Sequence, residues 1–133
     1  MANLLRASEE SLRVLEELTM ASKQSASEQI TAEVTSWPGV EAGPGKRGEF
    51  AFKFRGREIG HLHGDRAAHF SFPKDVWAKL KEEGRIGYHP VFPDSPGPAA
   101  RNIQNEPDIR DVIALLRLNY DRLVARLGSA AHV

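Results

Sequence analysis

Four of the five histidines of the chain lie between positions 61 and 89, and two of them are two residues apart. In a β-strand, His61 and His63 project to the same face, where two imidazoles can bind one divalent cation. A third ligand would come from Asp65, His89 or Asp94. Two histidines and one carboxylate can hold a transition metal with open coordination positions. The metal-ligand set of this hypothesis is His61, His63 and Asp94, and it describes a metal-dependent enzyme.

The same residues can also line a polar pocket without any metal. Imidazole and guanidinium groups are hydrogen-bond donors suited to a small anionic or hydroxylated molecule. Binding of such a ligand in a histidine-lined pocket is the leading hypothesis, and no particular reaction is predicted. The candidate ligand-binding residues are His61, His63, Asp65, Arg66, His89, Asp94 and Arg101.

A purely structural interpretation of these residues stays open. Gly60 and Gly64 can bracket a tight passage of the chain, in which Asp65 caps its own turn and the imidazoles bond to loop backbone. Arg101 is typical of an ion-paired surface residue, with Asp94 as a candidate partner. His69 alternates with neighbouring phenylalanines, so we expect it on the opposite face, exposed or at an interface, and assign it no role.

The composition and the absence of certain motifs argue against several other classes of function. The absence of cysteine excludes disulfides, cysteine nucleophiles and thiolate metal sites, and fits a reducing compartment. The 18 basic residues balance 18 acidic ones, so the chain lacks the broad positive field that nucleic-acid binders use. A DNA-binding module is therefore the third and least favoured hypothesis. Neither a G-x-S-x-G elbow at Ser95 nor a phosphate loop at Lys46 is present.

The elements that must position the histidines are short strands. Phe50, Phe52 and Phe54 alternate with polar or small residues, Arg55-Gly56 gives a tight turn, and the extended pattern resumes from Glu58 to His63. Residues 67–72 alternate again, which completes a predicted three-stranded meander. Residues 99–104 predict a last short strand, whereas the glycine-rich stretch 41–47 predicts a flexible loop.

Helices surround this meander in the sequence. Ser25 and Glu28 form a capping-box pattern before a helix that ends near Trp37-Pro38. Pro73 opens a short helix, and Glu106-Pro107 opens the longest one. Because strands and helices are segregated along the chain, we predict an α+β fold of two layers. Its antiparallel meander sheet would have about four strands covered by helices.

The first residues add an extension to this domain. Leu12, Leu15 and Leu18 recur beside charged residues from position 8 to 20, which predicts an extra amphipathic helix. We assign residues 1–24 to an N-terminal helical extension and 25–133 to the domain. The leucine stripe can pack on its own domain or on a second copy, which would make a homodimer. No signal peptide or membrane span is recognised, so we expect a cytoplasmic protein without a membrane partner.

Several motifs resemble one known family. Trp37-Pro-Gly-Val, Glu58-Ile-Gly-His-Leu-His-Gly-Asp, Phe72-Pro-Lys and His89-Pro-Val-Phe-Pro-Asp-Ser are similar to segments of the bacterial luciferase-domain family, in order over residues 30–127. The resemblance implies neither light emission nor any catalytic residue. Where the family pattern continues Pro-Asp-Ser-Gly-Trp, this chain has Pro96 after Ser95 and lacks the tryptophan. The order of elements more remotely resembles MmcQ/YjbR domains, a resemblance that implies an α+β fold and a suggested DNA-binding role.

Overall fold

The structure is a computed structural model that describes residues 9, 11–13 and 24–128. Residues 9 and 11–13 are helical, within the segment where the leucine pattern predicts a helix. The rest of that predicted helix lies outside the described residues. The division into residues 1–24 and 25–133, and the homodimer through the first helix, therefore stay predictions.

Three α-helices follow in the continuous part of the structure. They are α1 (Ala26–Val34), α2 (Lys74–Glu82) and α3 (Glu106–Leu123), and α3 continues into a π-helical turn at Val124–Gly128. The predicted capping box of α1 is present, since the Ser25 hydroxyl accepts a hydrogen bond from the Glu28 amide at 3.1 Å. No helix in the described ranges is both long and apolar enough to cross a bilayer.

A single antiparallel sheet faces these helices. Its strands are β1 (Val40–Pro44), β2 (Phe50–Phe54), β3 (Arg57–His63), β4 (Ala67–Ser71), β5 (Gly87–Tyr88) and β6 (Pro98–Asn102). Their spatial order is β1-β2-β3-β4-β6-β5. The α+β class, the central meander and the late strand are thus confirmed.

The predicted strand number was too low, because the sheet has six strands where about four were expected. The stretch 41–47, predicted as a flexible loop, overlaps most of β1. Gly43 and Pro44 weaken the strand pattern in the sequence, but both residues are tolerated at a sheet edge. Strand β5 has only two residues and pairs with β6, which is too short for any periodic pattern to show. Both missed strands lie at the edges of the sheet and depend on their neighbours.

The core lies between the helices and one face of the sheet. The three helices contribute Ile30, Trp77 and Leu116 to one cluster with Phe52 and Phe70 of the sheet. On β2 and β4 these phenylalanines alternate with Ala51 and His69, which therefore point to the other face. In the described part of the chain, the helices thus cover one side of the sheet, and Ala51 and His69 lie on its other side.

Candidate functional site

The face of the sheet opposite the helices carries a row of paired residues at its centre. His61 of β3 pairs directly with His69 of β4, and residues paired in this way share a face. The flanking positions hold only small side chains, which leaves a recess on either side of the two imidazoles. From edge to edge the row reads Gly43, Ala51, His61, His69, Ala100 and Gly87.

Two further histidines join this pair. His63 lies on the same strand face as His61, and its ring centroid is 4.3 Å from that of His69. His89 comes from the segment after β5, and its ring centroid is 4.2 Å from that of His69. A bridge between His89 and Phe92, with the Phe92 amide donating to the His89 carbonyl at 2.9 Å, folds this segment into a compact turn.

Three of the four imidazoles converge closely enough to act on one ion. His61, His69 and His89 each offer one nitrogen, and these nitrogens all lie within 4.8 Å of one another. They come from two strands and a loop, so no sequence spacing reveals the set. Three imidazoles with an open fourth position are a known arrangement for a zinc site.

His69 is the most unusual of these residues. It is only 9% exposed, and its Nδ1 is the one buried side-chain polar atom without a hydrogen-bond partner in the described part of the chain. Burial, followed by the nearby imidazoles of His89, His63 and His61, lowers the pKa of His69 to about 4. The ring is therefore neutral near pH 7, the form that binds a metal. An unpaired buried nitrogen costs about 1–3 kcal/mol, which a ligand at this nitrogen would offset.

His61 is oriented by a carboxylate. Its Nδ1 lies 2.9 Å from Glu58 Oε2, and the pairing leaves Nε2 as the free nitrogen of the ring when Nδ1 carries the proton. A carboxylate that accepts from a histidine in this way fixes the ring and its tautomer, as it does behind many metal ligands. Glu58 is thus the residue that would orient His61 as a metal ligand.

A β-bulge makes this pairing possible. Gly60 stands opposite Phe52 and Glu58 opposite Lys53, so the intervening Ile59 has no partner on β2. In a regular strand, Glu58 and His61 would point to opposite faces because they are three residues apart. The extra residue reverses the alternation, and both side chains reach the same face.

The final helix holds the bulge in place. The buried side-chain amide of Asn119 donates to the Ile59 carbonyl and to the Ser71 carbonyl, each at 3.1 Å. Ile59 is the bulged residue of β3 and Ser71 ends β4, so Asn119 hydrogen-bonds to both strands beyond the point where their pairing with each other ends. Beside Ile59, a Cβ on Gly60 would lie 2.5 Å from Leu116 Cδ2, so only glycine allows α3 to approach this closely.

His89 differs from the other two candidate ligands in its hydrogen bond. Its Nδ1 accepts from the Val91 amide at 3.1 Å, which places the proton of the neutral ring on Nε2. Burial first, then the imidazoles of His61 and His63, lower the pKa of His89. A metal on Nδ1 would displace the bond from Val91, and a metal on Nε2 would move the ring proton to Nδ1, which then cannot accept that bond. His89 is therefore the ligand whose loop must adjust when a metal binds.

The imidazoles lie in an open cleft of about 900 Å³. One wall is the turn between β1 and β2, and the other is the loop that carries His89, with Val91 and Phe92. The lining residues are Pro44, Gly45, Lys46, Arg47, Glu49, Ala51, Lys53, Glu58, His61, His63, His69, His89, Val91 and Phe92. The cleft therefore combines imidazoles with three cations and two exposed apolar side chains.

Of the candidate residues predicted from the sequence, His61, His63 and His89 line this cleft. Asp65 instead accepts a hydrogen bond at 2.8 Å from the Ser27 amide in the first turn of α1, a bond that lowers the pKa of the Asp65 carboxyl. The Arg66 side chain and Asp94 are exposed outside the cleft lining. Their ligand-binding roles, and the metal set with His63 and Asp94, stay predictions.

Arg101 points toward the helices. Its guanidinium donates to Asp108 Oδ1 at 2.7 Å, to Asp111 Oδ2 at 2.6 Å and to the Arg85 carbonyl at 2.9 Å. The candidate partner from the sequence was Asp94, whereas the ion pairs formed are with the two aspartates of α3. This network joins β6 to α3 and lies away from the cleft.

The main residue missed from the sequence is His69. Its alternation with Phe70 does place it on the face opposite the core, as expected, but the expectation of an exposed position was wrong. Pairing the predicted meander strands in register would have set His69 against His61. No sequence pattern predicts that Glu58 shares a face with His61, because this depends on a β-bulge that the sequence does not indicate.

Fold and site together describe a small α+β domain with a histidine-lined cleft on its open sheet face. Residues 56–119 match the family model described as the luciferase domain, which confirms the resemblance over this segment. The matched segment contains Glu58, all four histidines of the cleft and Asn119. Neither a curated protein nor a solved structure matches the chain.

Proposed function

We propose that the domain binds a divalent transition metal through His61, His69 and His89, and holds a small molecule at the open coordination positions. The observation that carries the proposal is the convergence of three imidazole nitrogens within 4.8 Å. Nitrogen ligands of a tetrahedral zinc ion stand about 3.4 Å apart, a spacing that small ring rotations would reach. This deepens the ligand-binding hypothesis. In the metal hypothesis, the proposed set keeps His61 and has His69 and His89 in place of His63 and Asp94.

The chemistry of the donors favours a borderline metal. Neutral imidazoles suit zinc, copper, iron and nickel, whereas magnesium and calcium prefer oxygen ligands. The Glu58 carboxylate would strengthen His61 as a ligand by accepting a hydrogen bond from its Nδ1–H group. A metal with an open position can polarise a bound carbonyl or activate a water, so hydrolysis or hydration of a small molecule is the reaction class that this site would support.

The experiment is metal analysis by mass spectrometry on tag-free protein purified without chelator. We expect near-stoichiometric metal in the wild type and its loss in a His61→Ala/His69→Gln variant. His132→Ala changes the histidine outside the 61–89 cluster and serves as the matched control. Asp94→Asn distinguishes the two ligand sets. The variant should keep its metal if His61, His69 and His89 are the ligands, and should lose it if Asp94 is a ligand.

Two further results sharpen this test. Glu58→Gln should weaken zinc binding by about tenfold or more, as removal of an outer-shell carboxylate commonly does. Circular dichroism of each variant shows whether the fold survives, so that metal loss is not mistaken for unfolding. The proposal is overturned if wild-type protein takes up no metal on reconstitution, or if the folded double variant retains it.

Neither the cleft nor the charge balance supports the DNA-binding hypothesis. A duplex-binding surface needs a broad array of cations for the phosphates, whereas this cleft has only three basic side chains and two acidic ones. Salt-sensitive binding to duplex DNA would be the result that favours that hypothesis over the metal site.

A further inference from the structure

The charged residues of the cleft suggest which ligand it takes. Lys46 and Arg47 project from the turn between β1 and β2, and Lys53 lies on β2 opposite Glu58. None of the three forms a salt bridge within the described ranges, whereas the guanidiniums of Arg85, Arg101 and Arg117 do. Three basic side chains are thus available at the same cleft as the imidazoles.

The two carboxylates of the cleft offset two of these three positive charges, but neither forms a salt bridge with them within the described ranges. Glu58 is hydrogen-bonded to His61, and the Glu49 side chain folds back against Gly45 at the rim. A divalent metal bound by the imidazoles would add two further positive charges. A metal and several cations in one partly enclosed cleft favour an anion, and lysine and arginine are the usual donors to carboxylate and phosphate oxygens.

The second wall of the cleft is apolar and exposed. Val91 is 62% exposed and Phe92 is 50% exposed, although both are large hydrophobic side chains. Phe92 is held near the metal ligands by its ring contact with His89, at 5.5 Å between centroids. An aromatic ring so placed offers a surface on which the body of an organic ligand can stack.

We infer that the cleft binds a small organic anion whose carboxylate or phosphate group lies between the metal and Lys53, with its apolar body against Phe92. This inference rests on the proposed function, since the metal supplies part of the positive charge. It names a substrate class for the same site, namely small carboxylates or phosphate monoesters with an aromatic or aliphatic group. Inorganic phosphate alone would leave the apolar wall without a contact.

The test uses the full chain loaded with Co²⁺, whose visible spectrum reports a change in coordination. Phenyl phosphate, benzoate, inorganic phosphate and uncharged benzyl alcohol are each titrated by calorimetry and by absorbance. We expect one or both organic anions to bind more tightly than inorganic phosphate and benzyl alcohol, with a spectral change. The ratio of phenyl phosphate to benzoate affinity then distinguishes the phosphate class from the carboxylate class.

Matched variants separate the contributions. Lys53→Gln should weaken binding of the organic anion about tenfold, the loss expected of one charge-assisted hydrogen bond. Arg57→Gln makes the same charge change on an exposed residue outside the cleft and should leave the affinity unchanged. Phe92→Ser should weaken binding of the organic anion but not of inorganic phosphate.

The outcomes distinguish this inference from the proposed function. If the protein binds Co²⁺ but neither organic anion, or if Arg57→Gln weakens binding as much as Lys53→Gln, the inference is wrong and the metal site stands. If no metal binds, the proposed function fails. The same titrations on metal-free protein then decide the inference, which is overturned when Lys53→Gln has no effect there.

Discussion

At the scale of single residues, Gly60 is a position where added side-chain volume would meet the buried core. An added Cβ would meet Leu116 Cδ2 at 2.5 Å, the His69 carbonyl oxygen at 3.2 Å and Phe70 Cδ1 at 3.2 Å. We therefore expect Gly60→Ala to lower the free energy of unfolding by about 1–3 kcal/mol, as overpacking does in a close-packed core. Urea denaturation followed by tryptophan fluorescence measures the change.

Gly43 provides the matched control for that substitution. It lies in the same cross-strand row as His61, but a Cβ there would meet nothing within 4 Å. Gly43→Ala should therefore leave the stability unchanged or raise it slightly, because alanine restricts the unfolded chain more than glycine does. Equal destabilisation by both substitutions would contradict the close approach of α3 at Gly60.

A second prediction at the residue scale concerns how the stability contributed by Arg101 depends on pH. The hydrogen bond from Arg101, followed by that from the Gln104 amide, lowers the pKa of Asp108 below its usual value. A carboxyl with a depressed pKa in the folded state contributes stability above its unfolded pKa, and this contribution is lost as the pH falls through the folded pKa. Arg101→Met should cost about 2 kcal/mol at pH 7, since it removes several charge-assisted bonds.

The loss of unfolding free energy in Arg101→Met should become smaller at acidic pH. Between pH 7 and pH 5 the difference in unfolding free energy between wild type and Arg101→Met should stay constant, and below about pH 4 it should narrow. Arg117→Met removes an exposed pair with Asp121 and the contacts of the guanidinium with the Trp37 and Tyr120 rings. Its cost should therefore change less between pH 7 and pH 3 than that of Arg101→Met. A difference that is independent of pH down to pH 3 would argue against ionised Asp108 as the main partner.

At the scale of elements, the bulge in β3 connects the final helix to the cleft. Asn119 satisfies the Ile59 carbonyl, the bulge turns Glu58 to the face of His61, and Glu58 fixes the His61 ring. Asn119→Leu removes the donor, so we expect a loss of about 1–3 kcal/mol in stability. Because the carboxylate loses its support, we also expect zinc affinity to fall about tenfold.

The control for Asn119 must be destabilised without disturbing the bulge. Val112→Ala removes buried methyl groups from the same helix, away from Ile59, and should lower stability by a comparable amount. Zinc titration of both folded variants then shows whether Asn119 affects zinc affinity by positioning Glu58 or only by stabilising the fold. If Val112→Ala weakens zinc binding as much as Asn119→Leu, the connection through the bulge is wrong.

The elements also show how far the sequence predicts this fold. Strands β2, β3 and β4 have strong alternation and tight turns, so local pattern is sufficient to define them. Strand β1 carries Gly43 and Pro44, and β5 has two residues, so both are set by pairing with a neighbour. The spacing of His61 and His63 is enough to predict that they share a strand face. Predicting His69 as their neighbour requires the register between β3 and β4, and predicting Glu58 requires the bulge. Both depend on how the strands pair and not on the local sequence.

At the scale of the whole molecule, the described core is built from α1 onward. Its members run from Ile30 in α1 to Tyr120 in α3, and Asp65 caps the first turn of α1 from the loop after β3. These contacts join α1 to the domain. The described residues that line the cleft run from Pro44 to Phe92. We propose that the domain begins just before α1, at residue 25, and that residues 1–24 are an extension.

We therefore expect a chain of residues 24–133 to fold and to keep its metal site. Its free energy of unfolding should lie within about 1 kcal/mol of the full chain, because no core residue of the described part is removed. Its zinc content should equal that of the full chain. Denaturation and mass spectrometry measure these quantities, and an unfolded truncated chain would show that the extension belongs to the domain.

The same pair of chains tests the homodimer prediction. Leu12 is 58% exposed on the described part of the extension, so this part of the leucine stripe has its apolar side chain available to a partner. If the stripe pairs with that of a second copy, the full chain is a dimer by light scattering and the 24–133 chain is a monomer. Replacing Leu12 and Leu15 with serine in the full chain should then also give a monomer with an unchanged zinc content. A monomeric 133-residue chain would instead mean that the stripe does not join two copies. Either result leaves the proposed metal site untouched, because His61, His69 and His89 all lie outside residues 1–24.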